Sequence, residues 1–454
     1  MKQSQHSRQA INMEGTAIEK KFGKYVMASM ITMFLQSAYS MIDGLFVSNL
    51  IGGTALSAVN VAWPIIAVVT AIGTGVGCGG AVIMSTKQGE GKNEESNIVR
   101  ANVILALLAS SIVVTILFLI LLTPLLKLMG AERELLRLSQ IYGRVMLTGG
   151  VLQILSCGLT PLLRNDNRAV SAMIIMVGGL FANLGLDFVF MYVFHMGIGG
   201  AAGASLCAQL FTTVCCLVIL STKKKDPIRF SQFIIKKEYW KKIFKTAISP
   251  FGISLTPSLL ILYHNVACLK FGGDLAVNAY ALISSTVGSY RVLLIGVAEG
   301  IQPLASFAYG AHDFHAIRKI RNKAIITAMG VSFFLFIFTI ATAGFYPVIY
   351  GYEGEAAELG YHAVMMTAAQ LIFTGLVRVT NSFFYSVGKD KYSLFMIYFD
   401  PLIMTPLMIM ILPKIFGLDG IWITAVVTQF ILNIAALGMF ASHEKQMKKM
   451  EAMK

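Results

Sequence analysis

The sequence predicts an all-α membrane protein with twelve transmembrane helices in two pseudo-symmetric six-helix lobes. Of its 454 residues, 56% are hydrophobic and only 13% are charged, and the mean hydropathy is +0.70. Soluble domains carry about 25% charged residues, so the composition excludes an ordinary soluble protein. Apolar runs long enough to cross a hydrocarbon core of about 30 Å recur along the whole chain. The two halves of the chain also share motifs at a nearly constant offset, which indicates an internal duplication.

Each apolar run predicts one membrane-spanning helix, because a helix needs about 20 apolar residues to cross the bilayer. The predicted spans lie, in chain order, at about 25–48, 55–85, 98–126, 139–163, 169–194, 199–221, 244–270, 275–306, 320–350, 358–388, 393–413 and 418–442. The longest polar linker divides them six and six. The predicted organisation is therefore a cytoplasmic N-terminal segment, an N-lobe, a cytoplasmic linker, a C-lobe and a cytoplasmic tail, at 1–24, 25–221, 222–243, 244–442 and 443–454.

The positions of the basic residues behind the net charge of +14 predict how the chain is oriented in the membrane. Most of the 37 Lys and Arg residues fall in alternate connections between the predicted spans and at the two ends of the chain. Cytoplasmic connections of membrane proteins carry such an excess of basic residues. Both termini are therefore predicted to be cytoplasmic, and the basic charge gives no reason to expect a nucleic-acid partner.

The internal repeat appears when the chain is shifted by about 220 residues. Three pairs of segments then come into register: Ile51-Gly-Gly53 with Phe271-Gly-Gly273, the segment at Ser85 with the segment at Ser306, and Gly197-Ile-Gly-Gly200 with Gly417-Leu-Asp-Gly420. An even number of spans in each unit gives the two halves the same orientation. Such halves commonly enclose a central cavity and alternate its access across the membrane.

The predicted N-lobe contains acidic and polar side chains inside its apolar runs. Asp43 lies in span 1, Asn183 and Asp187 lie in span 5, and Ser205 lies in span 6. Asn183 and Asp187 are four residues apart and therefore share one helix face. A carboxylate inside the membrane costs roughly 2.5–3.5 kcal/mol on insertion scales, so a function is expected to retain it. These four side chains predict an oxygen-lined pocket for a proton or a monovalent cation.

Burial and a second nearby carboxylate both favour the protonated form of an acid. A buried pair such as Asp43 and Asp187 could then take up a proton on one side of the membrane and release it on the other. The alternative interpretation is that both acids are hydrogen-bonded packing groups, or that they lie at helix ends, as the position of Asp43 near the outer end of span 1 allows.

Further polar residues in the predicted spans are candidates for lining a substrate cavity: Gln36, Asn60, Glu299, Gln302 and Asp400. Arg291 and Arg378 are potential ion-pair partners for the two acids of the C-lobe, so neutralisation of Glu299 by Arg291 is an equal alternative to a substrate role. Pro401 and a second proline five residues later should interrupt span 11 and free backbone carbonyl groups.

Three segments resemble one known family: IDGLFVSNLIGGTALSAVNVAWP, GLFANLGLDFVFMYVFHMGIGGAAGAS and EGIQPLASFAYGAHD. They are similar to MATE (multidrug and toxic compound extrusion) transporters, closest to the bacterial DinF/MepA-like branch, and the resemblance covers almost the whole chain. It implies a twelve-helix bundle in two lobes. It also implies efflux of organic cations against an inward flow of protons or sodium ions.

The resemblance also implies roles for individual residues. Asp43 takes the place of the span-1 acid used in ion coupling, and Asn183 and Asp187 take the places of the span-5 pair in the N-lobe cation site. Ser205 stands where other members have threonine. No cofactor is implied, and the coupling ion would be a proton or a sodium ion at these four residues. The chain departs from the family in having no proline in 25–42, and its span 7 lacks the acids of a sodium site proposed for another branch.

The function expected from these observations is a secondary active antiporter that exports cationic, amphipathic organic compounds. Multidrug efflux by a monomer in the bacterial cytoplasmic (inner) membrane would confer antibiotic resistance. One alternative is a flippase for a lipid-linked sugar or another amphipathic metabolite, which a cavity lined by arginines rather than acids would favour. A membrane-embedded enzyme or a channel is a further alternative, but the sequence contains no recognisable catalytic set, so no enzyme is predicted.

Overall fold

The computed structural model of the protein describes residues 15–51, 53–222 and 230–452. Within these ranges the chain is almost entirely helical and contains no strand. It forms two compact units, of which one is Ile31–Leu255 and the other joins the described residues of Met1–Met30 to those of Thr256–Lys454. The predicted N-terminal segment 1–24 and linker 222–243 lie partly outside the described residues, as does the end of the predicted tail 443–454.

The helices of the N-terminal half are α1 Gly15–Leu50, α2 Gly53–Gly89, α3 Asn93–Leu128, α4 Arg133–Thr148, α5 Gly150–Asn165, α6 Ala169–Asp187 and α7 Gly197–Ser221. The helices of the C-terminal half are α8 Lys237–Gly310, α9 Phe314–Thr342, α10 Phe345–Ile349, α11 Gly354–Ala368, α12 Gln370–Ser386, α13 Asp390–Phe399, α14 Thr405–Phe416 and α15 Leu418–Ala452. A short 3-10 turn, Phe230–Gln232, precedes α8, and two π-helical turns follow α6 and α13.

The described helices are long enough to provide twelve membrane spans. Ten spans satisfy the length and hydropathy requirements when the bent pairs α4/α5 and α11/α12 each count as one. One of the ten is the 74-residue helix α8, which is broken at Gly273, where φ is 63°, and therefore contains two spans. Helix α1, with 36 residues, is also long enough to cross the membrane. The predicted fold class, an all-α membrane protein with twelve helices in two six-helix lobes, is confirmed.

Two of the predicted spans are bent rather than straight. The helices α4 and α5 meet at Gly149 with a bend of 57°, and α11 and α12 meet at Ala369 with a bend of 45°. The two bends lie about 220 residues apart, which is the offset of the sequence repeat. Gly197 and Gly417 show the same relation, since each has a φ of 59° and each lies where a long helix starts. The duplication therefore extends to the positions at which the helices break.

Close helix packing in the unit Ile31–Leu255 depends on the glycine-rich segment of α2. A Cβ atom added to Gly77 would lie 2.4 Å from the Cα atom of Gly158 on α5, so only two glycines allow this approach. Buried side chains of α2, α3 and α5, such as Ile66, Leu107 and Leu159, surround the crossing.

The π-helical turn after α13, Asp400–Met404, lies where the sequence predicted an interruption of span 11. The backbone N–H of Thr405 donates to the carbonyl oxygen of Asp400, five residues earlier, instead of the usual four. Pro401 lies inside this turn and Pro406 is the second residue of α14, and neither can donate a backbone hydrogen bond. The irregular turn positions the Asp400 side chain inside the C-terminal unit, where it is buried.

Candidate cation site of the N-terminal lobe

The structure brings Asn183 and Asp187 together on one face of α6. The Nδ2 group of Asn183 donates a hydrogen bond of 2.9 Å to Oδ2 of Asp187. Asp187 is the last residue of α6 before the π-helical turn Phe188–Val193, and its side chain is completely buried. The spacing of one helical turn therefore produces the side-by-side arrangement that the sequence predicted.

The side-chain oxygen of Asn183 accepts hydrogen bonds from side chains on two other helices. The hydroxyl group of Tyr39, on α1, donates to Oδ1 of Asn183 at 2.5 Å. Ser205, on α7, donates to the same oxygen at 3.5 Å. Because Oδ1 receives both of these donors, the amide nitrogen must point toward Asp187. The amide orientation is thus fixed by its partners on α1 and α7.

The fourth predicted residue, Asp43, lies one turn after Tyr39 on α1 and completes the cluster. Its carboxyl group contacts both the carboxyl group of Asp187 and the hydroxyl group of Tyr39. Tyr142, on α4, is buried and lies close enough to interact electrostatically with both acids. The sequence-predicted residues Asp43, Asn183, Asp187 and Ser205 therefore form one cluster, to which the structure adds Tyr39 and Tyr142.

Two properties of this cluster determine its chemistry. In the part of the chain that the structure describes, no Lys or Arg forms an ion pair with Asp43 or Asp187. Oδ1 of Asp187 is buried and receives no hydrogen bond from any described residue. Two carboxyl groups in contact repel each other when both are charged. A shared proton or a bound cation would relieve this repulsion.

A sodium ion is compatible with the side chains present, because carboxylate, amide and hydroxyl oxygens are the ligands that hard cations prefer. The described residues contain no group of three or more His, Cys, Asp or Glu side chains placed to hold a metal ion. With only two acids, the cluster suits a monovalent ion better than a divalent one.

The other candidate residues are distributed over both compact units. Gln36 on α1 and Asn60 on α2 are exposed, whereas Gln302 on α8 is buried. Glu299, also on α8, is half-buried. Asp400 lies in the C-terminal unit and lines a cavity there.

Sequence reasoning missed both tyrosines of the site. Tyr39 and Asp43 are four residues apart, so the helical spacing that linked Asn183 to Asp187 could also have linked this pair. No comparable signal existed for Tyr142, because its proximity to the acids results from the packing of α4 against other helices.

Comparison with known proteins supports a single family. The MatE family model matches residues 28–189 and 253–410. The multidrug export protein MepA of Staphylococcus aureus (strain N315) is 22% identical over 427 residues, which cover 93% of this chain and 94% of the relative. The protein of the same name from Staphylococcus saprophyticus is 23% identical over 428 residues, with the same coverage of both chains.

A solved structure has the same fold. It is described as the outward-facing conformation of a multidrug resistance MATE family transporter of the MOP superfamily. The TM-score is 0.90 at 24% sequence identity, and the match covers 95% of this chain and 97% of the other. Because the family model matches well over half of its residues, the chain belongs to the MATE family of membrane transporters.

Proposed function

We propose that the protein is a secondary active antiporter that exports amphipathic organic cations in exchange for protons or sodium ions. Its family membership supports this function, as do relatives that are named multidrug export proteins. The observation that carries the proposal is the contact between the carboxyl groups of Asp43 and Asp187, to which no described basic residue is paired.

Competition for this carboxyl pair provides the exchange. An ionised pair attracts a cation, whereas a pair neutralised by a proton or a sodium ion does not. A cationic substrate and the coupling ion then cannot both be held at the same negative charge. Binding of the ion from outside displaces the substrate, and loss of the ion to the cytoplasm restores the affinity for the next substrate molecule.

Asn183 acts as a positioning residue in this scheme. Tyr39 holds the amide oxygen, so the amide nitrogen donates to Oδ2 of Asp187. Oδ1 of Asp187 remains available to a proton or a cation. A sodium ion would be held by oxygen atoms of Asp43, Asn183, Asp187 and Ser205, and it would supply only the neutralising charge.

We place the protein in the bacterial cytoplasmic membrane as a monomer with both termini in the cytoplasm. The distribution of Lys and Arg supports this orientation, and the staphylococcal relatives support a bacterial origin.

The test is substrate-driven ion flux in proteoliposomes that contain the purified protein. One preparation has only a proton gradient and a second has only a sodium gradient, and ethidium is the transported cation. Asp187→Asn should abolish gradient-driven transport in the preparation in which the wild type is active. Asp274→Asn, which alters an exposed acid of α8, should leave transport unchanged.

Each outcome is informative. Transport with only one gradient identifies the coupling ion. If Asp187→Asn transports at the wild-type rate, Asp187 is a packing residue and the proposed site is wrong. Ethidium flux that is independent of both gradients would contradict antiport altogether.

A further inference from the structure

The C-terminal unit contains a cavity of about 120 Å³ with an excess of positive charge. Its charged lining residues are Arg291 on α8, Arg378 on α12 and Asp400 in the π-helical turn. Arginine remains protonated at any physiological pH, so two positive charges face one carboxylate. This charge balance is opposite to that of the Asp43–Asp187 cluster.

Asp400 does not form an ion pair with either arginine. Its Oδ1 accepts a hydrogen bond of 2.7 Å from the hydroxyl group of Thr405, and its Oδ2 accepts one of 3.0 Å from Nε2 of Gln429. Among the described residues, neither guanidinium group has a carboxylate oxygen within 4.0 Å. Neutral donors therefore satisfy the carboxylate, and the donors of the two arginines are left without an anionic partner.

Two buried donors on the cavity wall also lack acceptors. The Nε group of Arg378 and the Nε1 group of Trp422 form no hydrogen bond with any residue that the structure describes. The two side chains are only 8% and 1% exposed, and both line the cavity. Buried donors are nearly always paired, and a buried charge normally has a counter-charge. These orphaned groups indicate that a ligand with acceptor oxygens completes the site.

We propose that this cavity binds an oxyanion, a carboxylate or phosphate group, between Arg291, Arg378 and Nε1 of Trp422. The planar guanidinium group presents parallel donors that match the oxygen atoms of such groups. Pockets for drug-sized molecules have volumes of about 300–1,000 Å³, so this smaller cavity fits an acidic group rather than a complete drug. The inference goes beyond the proposed cation export, because it assigns a second ligand class to the other compact unit.

The first test measures binding of inorganic phosphate to the purified full-length protein by isothermal titration calorimetry. The protein is held in phosphatidylcholine nanodiscs, and potassium chloride keeps the ionic strength constant. Arg378→Gln should weaken binding at least tenfold, and Trp422→Phe, which removes one donor with little change in ring volume, should weaken it several-fold. Arg137→Gln alters an exposed arginine paired with Glu134 and should have no effect.

A second arm distinguishes a soluble anion from a lipid headgroup. Nanodiscs containing phosphatidic acid are compared with pure phosphatidylcholine nanodiscs, and the melting temperature is measured in each. Binding of free phosphate that requires Arg378 supports the site with a soluble ligand. Stabilisation by phosphatidic acid that requires Arg378 supports the same site with a lipid headgroup, as a flippase for acidic lipids would use.

Several results would overturn the proposal. These are binding of neither phosphate nor phosphatidic acid, equal binding by the wild type and Arg378→Gln, and unchanged phosphate affinity of Trp422→Phe. If Arg378→Gln does not fold, Trp422→Phe decides alone. Asp187→Asn should retain phosphate binding, so a failure of the proposed antiport and a failure of the anion site give different results.

Discussion

Asn183 determines how the N-terminal site presents its negative charge. Its side-chain oxygen accepts hydrogen bonds from Tyr39 and Ser205. Its side-chain nitrogen therefore faces Asp187 and donates a hydrogen bond to it. One carboxylate oxygen of Asp187 accepts this hydrogen bond, and the other receives none from any described residue. The two oxygen atoms of the Asp187 carboxyl group therefore have different surroundings.

Tyr39→Phe tests this chain of hydrogen bonds. The substitution keeps the aromatic ring but removes the shorter of the two hydrogen bonds to Oδ1 of Asn183. Leaving a buried acceptor poorly satisfied costs about 1–3 kcal/mol. We expect the rate of ethidium transport in proteoliposomes to fall by roughly tenfold, since about 1.4 kcal/mol corresponds to a factor of ten in rate.

The matched control is Tyr192→Phe, because Tyr192 is exposed on the π-helical turn that follows α6. It should transport at the wild-type rate. An unchanged rate for Tyr39→Phe would mean that Asn183 does not depend on the tyrosine for its orientation.

At the scale of secondary-structure elements, one buried side chain ties the segment before α8 to α3. The Nδ2 group of Asn102 donates to the carbonyl oxygen of Ile234 at 3.1 Å. Its Oδ1 accepts from the backbone N–H of Lys236 at 3.0 Å and from Nε1 of Trp240 at 3.1 Å. A single asparagine thus satisfies polar groups from the start of the C-terminal half.

Replacing Asn102 with leucine should release this segment. The variant leaves buried donors without an acceptor, which costs about 1–3 kcal/mol for each group. We expect faster amide hydrogen exchange in 234–240 by mass spectrometry, while exchange in the other helices stays unchanged. Asn97→Ala, on the same helix, is the control, and equal exchange in both variants would refute the role of Asn102.

The contact between α2 and α5 offers a second test at this scale. In Gly77→Ala the new methyl group would meet the backbone of Gly158, so the helices must separate. Overpacking of this kind typically costs about 1–3 kcal/mol. The melting temperature in detergent should fall by several degrees. Gly330→Ala on α9 should not lower it, because no atom lies within 4 Å of the added carbon.

At the scale of the whole molecule, the features that depend on local sequence could be predicted. Apolar runs revealed the spans, and the matched glycines at Gly197 and Gly417 revealed the duplication. The Gly149-Gly150 pair could have indicated the first bend, whereas no glycine or proline marks the bend at Ala369. The contacts of Tyr142 and Asn102 could not be predicted either, because their partners lie far away in the sequence.

Orientation in the membrane is a further prediction at this scale. Because basic residues crowd the connections assigned to the cytoplasm, Glu353→Cys should react with a membrane-impermeant maleimide added outside intact cells. Ser231→Cys should react only after the cells are permeabilised. Both variants are made in a chain from which the six native cysteines have been removed. The reverse labelling pattern would contradict the proposed topology.

The measurement that tests the central claim most directly is the affinity of ethidium as a function of pH, compared between the wild type and Asp43→Asn. If Asp43 and Asp187 form one negative site shared by substrate and ion, protons compete with ethidium. Lowering the pH from 8 to 6 should then weaken its binding to the wild type. Asp43→Asn mimics the neutralised acid, so its residual binding should be weak and nearly independent of pH. A mutant that binds ethidium with the pH dependence of the wild type would contradict the account.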